Sequence, residues 1–272
     1  MTRALPGVPR ADRLVLGFVG SQPAKAIERY SALAAWLARS AGYREGVVDA
    51  HSDTDVILGR LCDGTLDVMF ESPFSASLAR QSCGAAPVVV AAKDGVLRYR
   101  SVIIVRHDAA LRSLADLRGR SIGFEDDRST SGYVIPRLLL ENAGVELQPA
   151  ASAPRPGAAR YTFLREELNL VGAVVHGHMD AAALSDRDLQ MLSTSEVRIL
   201  ARSEPVPRQV AVLAPTLAAE ARQRIERALL LAPHAPDARS ALERAGTREF
   251  APLEPGDEVA LAMLAERSRK TR

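Results

Sequence analysis

Three adjacent hydroxyls and a glycine, Ser129-Thr130-Ser131-Gly132, are the residues of this 272-residue chain best suited to chemistry. They follow an apolar run, Ser121–Phe124, and a polar stretch, and they precede a segment with helical patterning. Ser and Thr at a helix start accept hydrogen bonds from the backbone N–H groups that the first turn leaves open. The same N–H groups, with the positive end of the helix dipole, make a site for a small oxyanion. Three neighbouring hydroxyls, beside a glycine that lets backbone come close, suit a tetrahedral phosphoryl or sulfonyl group. An ordinary helix cap uses the same residue types, so the segment alone leaves both readings open.

Other chemistry finds little support. Ser129 as a nucleophile lacks a GxSxG elbow, an SxxK motif and a histidine positioned as its base, so no enzyme activity is expected. His176 and His178 stand two apart without a third ligand nearby, and zinc needs three or four converging ligands, so neither a metal nor a cofactor is expected. Cys62 and Cys83 make no disulfide framework. They can pair in an oxidising compartment, but buried free thiols are the more ordinary expectation. A net charge of +2, with no Lys/Arg block, excludes nucleic acid as a natural partner. Aromatic content of 4% leaves the core to Ala, Leu, Val and Ile.

The elements that must hold the hydroxyl triplet alternate between strand and helix. Leu14–Val19 reads as a buried strand, Ala24–Ala41 as a helix with Leu33, Trp36 and Leu37 at core spacing, and Val47–Ala50 as a second strand. Asp53–Leu61 reads as a helix, Leu66–Phe70 as a strand leading to Glu71-Ser72-Pro73 and a short helix, and Ala86–Ala92 as a further strand. The turn Asp94-Gly95 leads into Leu97–Val105, and a capping box at Ser113–Asp116 opens a short helix. Pro136 reads as early enough in the helix after the triplet to cost little. Ala150–Arg160 reads as a surface connection, Glu166–His176 as a helix, and Met179–Leu184 and Val197–Leu200 as strands. After the stiff Glu204–Pro207 crossover and Gln209–Leu213, helices at Thr216–Leu231 and Asp237–Ala245 finish the chain. This alternation predicts an α/β fold with mainly parallel sheets in two halves. Ligands of such sheets bind beyond the carboxyl ends of strands, which makes Ser21, Thr54 and Ser72 candidates for a common rim. The apolar run Leu14–Val19 is six residues, short of the ~7–15 of a signal peptide. The expectation is therefore either a leader already removed or a cytoplasmic protein.

Taken together, GTLDVMFESPFS (64–75), DGVLRYRSVIIVRHD (94–108), SLADLRGRSIGFEDDRSTSGYVIPR (113–137), the GxxD at Gly177–Asp180 and SEPVPRQ (203–209) resemble the phosphate/phosphite/phosphonate substrate-binding proteins of ABC importers. The resemblance runs from about Leu14 to Phe250 and implies the two-lobed type II periplasmic-binding-protein fold, each lobe a mainly parallel sheet flanked by helices. It divides the chain into lobe 1, residues 1–97 and 207–272, and lobe 2, residues 98–206. It implies a monomer that captures a small oxyanion in a cleft between lobes and hands it to a membrane permease, in the periplasm or at the cell surface. Ser129, Thr130 and Ser131 would grip the oxyanion, with help from Tyr99. Thr54 stands where phosphonate binders have a tyrosine, and Glu166 or Glu167 where they have a histidine. A carboxylate there suits a ligand that also carries an ammonium group, as aminoalkylphosphonates do. Asp186, after the Met179–Leu184 strand, joins the candidate set. The same fold also serves cytoplasmic ligand sensors and small-molecule enzymes, which is the alternative function.

Overall fold

The computed structural model describes residues 9–93 and 95–270. Asp94 of the expected turn, and the chain before Pro9, lie outside the described residues. The chain forms two compact units, Met1–Arg98 with Pro207–Arg272, and Tyr99–Val206.

The first unit is built in order from β1 (Arg13–Val19), α1 (Pro23–Ser40), β2 (Glu45–His51), α2 (Thr54–Asp63), β3 (Val68–Glu71), α3 (Pro73–Cys83) and β4 (Ala86–Ala91). The chain leaves this unit along β5 (Arg98–Tyr99). The second unit follows with β6 (Ser101–Arg106), β7 (Ser121–Phe124), α4 (Ile135–Asn142), β8 (Leu147–Pro149), β9 (Ala159–Phe163), α5 (Glu167–Val175), β10 (Ala181–Ser185), α6 (Asp186–Leu192) and β11 (Val197–Arg202). The chain returns along β12 (Val206–Pro207), which pairs with β5, and completes the first unit with β13 (Gln209–Leu213), α7 (Ala219–Leu231), α8 (Arg239–Ala245), β14 (Phe250–Pro252) and α9 (Pro255–Lys270).

Each unit holds a six-stranded sheet: β14-β4-β13-β3-β1-β2 in the first and β11-β6-β10-β7-β9-β8 in the second. In the first, β2, β1 and β3 run parallel, and β13, returning from the second unit, is antiparallel to both β3 and β4. In the second, β8, β9, β7 and β10 run parallel, and β6 is antiparallel to β10 and β11. Parallel strands covered on both faces need apolar side chains on both, which is why β1 reads as continuous LVLGFV rather than as an alternation. Leu14, Leu16 and Phe18 pack with α1, α7 and α8, while Val15 joins Ile57, Leu61, Leu66 and Met69 on the other face. Helix α1 lies so close to β2 that a Cβ on Gly46 would fall 1.9 Å from the Ala34 carbonyl oxygen, so only glycine fits there. In the second unit Val102, Ile104, Ala182 and Leu184 pack against Leu170, Val171 and Val174 of α5.

Several expectations need correction. Cys62 and Cys83 are not free thiols but a disulfide, because α2 and α3 lie side by side and bring their Cα atoms to 5.6 Å. The connection over 150–160 runs directly into a strand, β9, whose neighbours β7 and β8 supply the pairing that its Pro/Gly-rich approach conceals. A further helix, α9, follows Asp237–Ala245 and packs on α3, with Leu261 and Leu264 buried. The run Leu97–Val105 divides into β5 and β6 at Arg100.

Candidate functional site

Strand β7 ends at Phe124, and the chain then turns through Glu125–Arg128 into a π-helical turn, Thr130–Val134, continuous with α4. Ser129 is the N-cap: its Oγ accepts the Gly132 N–H at 2.9 Å, and its carbonyl accepts the N–H groups of Tyr133 and Val134. Pro136 stands at the seventh helical residue, not in the first turn, and it has no N–H to donate back. Two carbonyls of the turn accept from outside it. Gly132 O accepts from Glu125 N at 3.2 Å, and Ser131 O accepts from Ser101 Oγ, at the start of β6, at 2.6 Å. The helix start is thereby tied to both β7 and β6. Single π-turns inside helices occur often at functional sites.

Thr130 and Ser131 are only 2% and 6% exposed, so this helix start is a built element of the second unit rather than a frayed end. The first-turn amides of a helix have no partner within it. Ser129 takes up three of the amides that follow it, Gly132 through its Oγ and Tyr133 and Val134 through its carbonyl.

The rim around this turn is acidic. Ser129 Oγ donates to Glu125 Oε2 at 2.6 Å. Burial pushes the Glu125 carboxyl up to about 7, against the stabilising Ser129 hydrogen bond, and the charges of Glu167, Asp126 and Asp188 push the same way. Gly132 has no room for a side chain, since a Cβ would lie 2.6 Å from Glu125 Oε2 and 2.8 Å from Ser129 Oγ. Across the edge, Ser185 caps α6, accepting from Asp188 N and donating to the Asp188 carboxylate.

The other sequence-derived candidates divide between the units. Tyr99 is buried at the entry to β6. Asp186 lies beside it, its carboxylate accepting the Arg100 N–H at 3.0 Å and its own N–H donating to Arg100 O. Glu167 opens α5 close enough to Glu125 to disfavour its charge, whereas Glu166 is an exposed N-cap without a side-chain cap bond. In the first unit Ser21, Thr54 and Ser72 follow the ends of the adjacent parallel strands β1, β2 and β3. Ser72 caps α3, its Oγ accepting Ser75 N–H at 3.3 Å, while Asp53 rather than Thr54 caps α2. Glu125, Ser101 and Asp188 join these residues through the fold, and the one sign of them in the sequence is the Glu125-Asp126 doublet directly after an apolar strand. Among the described residues no cluster of His, Cys, Asp and Glu has the makings of a metal site, and no helix is long and apolar enough to cross a membrane.

The chain matches over residues 16–257 the family described as the periplasmic substrate-binding protein of phosphonate ABC transporters. It is similar to XAC2383 from Xanthomonas citri in a structure bound to chloride, at 29% identity and TM-score 0.84 over 95% of this chain and 98% of that one. A second structure of that protein, bound to ATP, matches at 28% identity and TM-score 0.83 over the same shares. The fold extends to PhnD1 from Prochlorococcus marinus in complex with methylphosphonate, at 18% identity and TM-score 0.68 over 95% and 99% of the two chains. It extends also to the aliphatic sulphonate-binding protein SsuA from Escherichia coli, at 17% identity and TM-score 0.58 over 96% and 88%.

Proposed function

The chain belongs to the periplasmic substrate-binding proteins of phosphonate ABC transporters, and from that premise we propose that its second unit captures a phosphonate- or phosphate-type oxyanion that also carries an amine, for delivery to a membrane permease. The observation that carries the reading is the Ser129-Thr130-Ser131 helix start: capped, buried and tied to two strands, at the carboxyl edge of a mostly parallel sheet. Preorganised donors of this kind bind an anion without a large ordering cost. The relatives support an anionic guest, since XAC2383 has been seen with chloride and with ATP.

The amine follows from charge. Glu167, Asp186 and Asp188 stand on the same edge as the triplet, and a purely anionic ligand meets their repulsion. An ammonium group a few bonds from the phosphoryl group turns that repulsion into attraction. Binding is non-catalytic in this reading, in keeping with the substrate-binding family to which the chain belongs. The Cys62–Cys83 disulfide suits the oxidising periplasm.

Calorimetric titration with phosphate, methylphosphonate, aminoethylphosphonate and ATP tests the proposal. Aminoethylphosphonate is expected to bind most tightly, and the double variant T130A/S131A to weaken it at least about 100-fold, the value of two charge-assisted hydrogen bonds at about 1.5 kcal/mol each. Equal affinity for methylphosphonate and aminoethylphosphonate ends the amine reading. Heat from none of the four ends the oxyanion reading.

A further inference from the structure

The Ser129 hydroxyl has one hydrogen to give, and it gives it to Glu125 Oε2 at 2.6 Å. Its oxygen meanwhile accepts the Gly132 N–H at 2.9 Å. Of the three hydroxyls of the triplet, one therefore points its donor at the protein's own carboxylate rather than at a guest. Glu125 is held at both ends: its N–H donates to Gly132 O and its carboxylate accepts the Ser129 hydroxyl. The charges that raise its carboxyl come from Glu167 at the head of α5, Asp126 on its own turn and Asp188 in α6. Arg165, whose backbone N–H donates to the Glu125 carbonyl, is an exposed side chain. Arg128, on the same turn, spends its backbone N–H on Asp126.

Resting on the oxyanion reading above, we infer that Glu125 is the specificity-determining proton carrier of the site: an oxyanion binds together with one proton from solvent, taken up by the Glu125 carboxyl. The protonated carboxyl donates to Ser129 Oγ, reversing the existing hydrogen bond, and Ser129 then accepts from Gly132 N–H and Glu125 O–H and donates to the ligand. The Ser129 oxygen and its hydrogen keep partners in both states, and no covalent bond of the ligand changes. The carboxyl is already poised for this, with burial and its acidic neighbours raising it to about 7 before any anion arrives. An anion at the adjacent helix start raises it further, so above pH 7 binding and protonation are linked. Ligands are thereby selected by how well they tolerate a neutral carboxylic acid beneath them, and capture weakens in alkaline medium.

The test is calorimetry of aminoethylphosphonate between about pH 6 and pH 9, in buffers of different ionisation enthalpy, with the wild type and E125Q. The glutamine amide donates to Ser129 Oγ much as the protonated carboxyl would, and subtracting E125Q removes the ligand's own protonation. Expected at pH 8 is close to one proton more taken up by the wild type than by E125Q. The wild-type affinity should also fall about tenfold per pH unit above 7 relative to the variant. Equal proton uptake and equal pH dependence overturn the inference while leaving the oxyanion reading intact. Failure of the wild type to bind at any pH overturns both. Should E125Q not fold, an infrared difference spectrum of the wild type decides: a protonated-carboxyl band must appear on binding at pH 8, and its absence overturns the inference.

Discussion

The two units carry the same chemical pair in different surroundings. In the first, Glu71 ends β3 and accepts the N–H of Ser72, which caps α3; in the second, Glu125 follows β7 and accepts the hydroxyl of Ser129, which caps the helix leading into α4. Burial pushes both carboxyls up. Around Glu71 the backbone N–H and the charge of Lys93 work against that shift. Around Glu125 the neighbouring charges are acidic and work with it. The charges that the tertiary fold brings up to a carboxylate beside a helix cap thus oppose the effect of burial in one unit and add to it in the other. A second asymmetry is covalent, since the disulfide lies entirely in the first unit.

The largest expected effect tests that covalent asymmetry. Replacing Cys62 and Cys83 by serine should destabilise the first unit by about 2–4 kcal/mol, the range for closing a loop of this size. Hydrogen exchange resolved by residue should show the loss in α2 and α3 and leave β6–β11 unchanged. Equal loss in both units would mean that they unfold as one.

A smaller effect separates the two carboxyls by pH. Folded Glu125 holds its proton up to about 7, whereas the unfolded chain releases it near 4.5. Between those values the native state binds more protons, so its stability falls as pH rises through the window and levels off above it. E125Q is free of that loss. Relative to E125Q, the wild type should lose about 1–2 kcal/mol between pH 4.5 and 7 in urea titrations, below the full value of the shift because the group is partly solvated. A parallel E71Q series sharpens the contrast, since it reports a carboxyl that burial raises while hydrogen bonds and the charge of Lys93 oppose the shift.

The smallest expected effect concerns the caps alone. S72A should cost about 1 kcal/mol of stability, the usual value of a serine N-cap, with little change in oxyanion affinity. A large loss of affinity in S72A would bring the first unit into the recognition chemistry and remove the contrast.

Much of this molecule was legible in the chain. The continuous apolar runs of β1, β4 and β6 announce strands buried on both faces, and the capping box at Ser113–Asp116 forms with both its hydrogen bonds. Ser129 was readable as a cap because Ser and Thr before a helix do one thing well. Strand β9 was not readable, since its five residues gain their order from β7 and β8 on either side. Pro136 misled in the other direction. In the turn before it, Glu125 N and Ser101 Oγ donate to the carbonyls of Gly132 and Ser131, and Ser101 is thirty residues from Ser131.

By itself the sequence determined where backbone must turn, which runs must hide from water, and that a helix start rich in hydroxyls follows β7. Those are properties of adjacent residues, governed by sterics, capping and transfer from water. Only the tertiary structure decided that Cys62 meets Cys83, that Ser101 props the triplet, and that Glu125 is ringed by Glu167 and Asp188. These pairings join residues far apart in the chain. Their energies depend on distance and burial, which no linear pattern encodes.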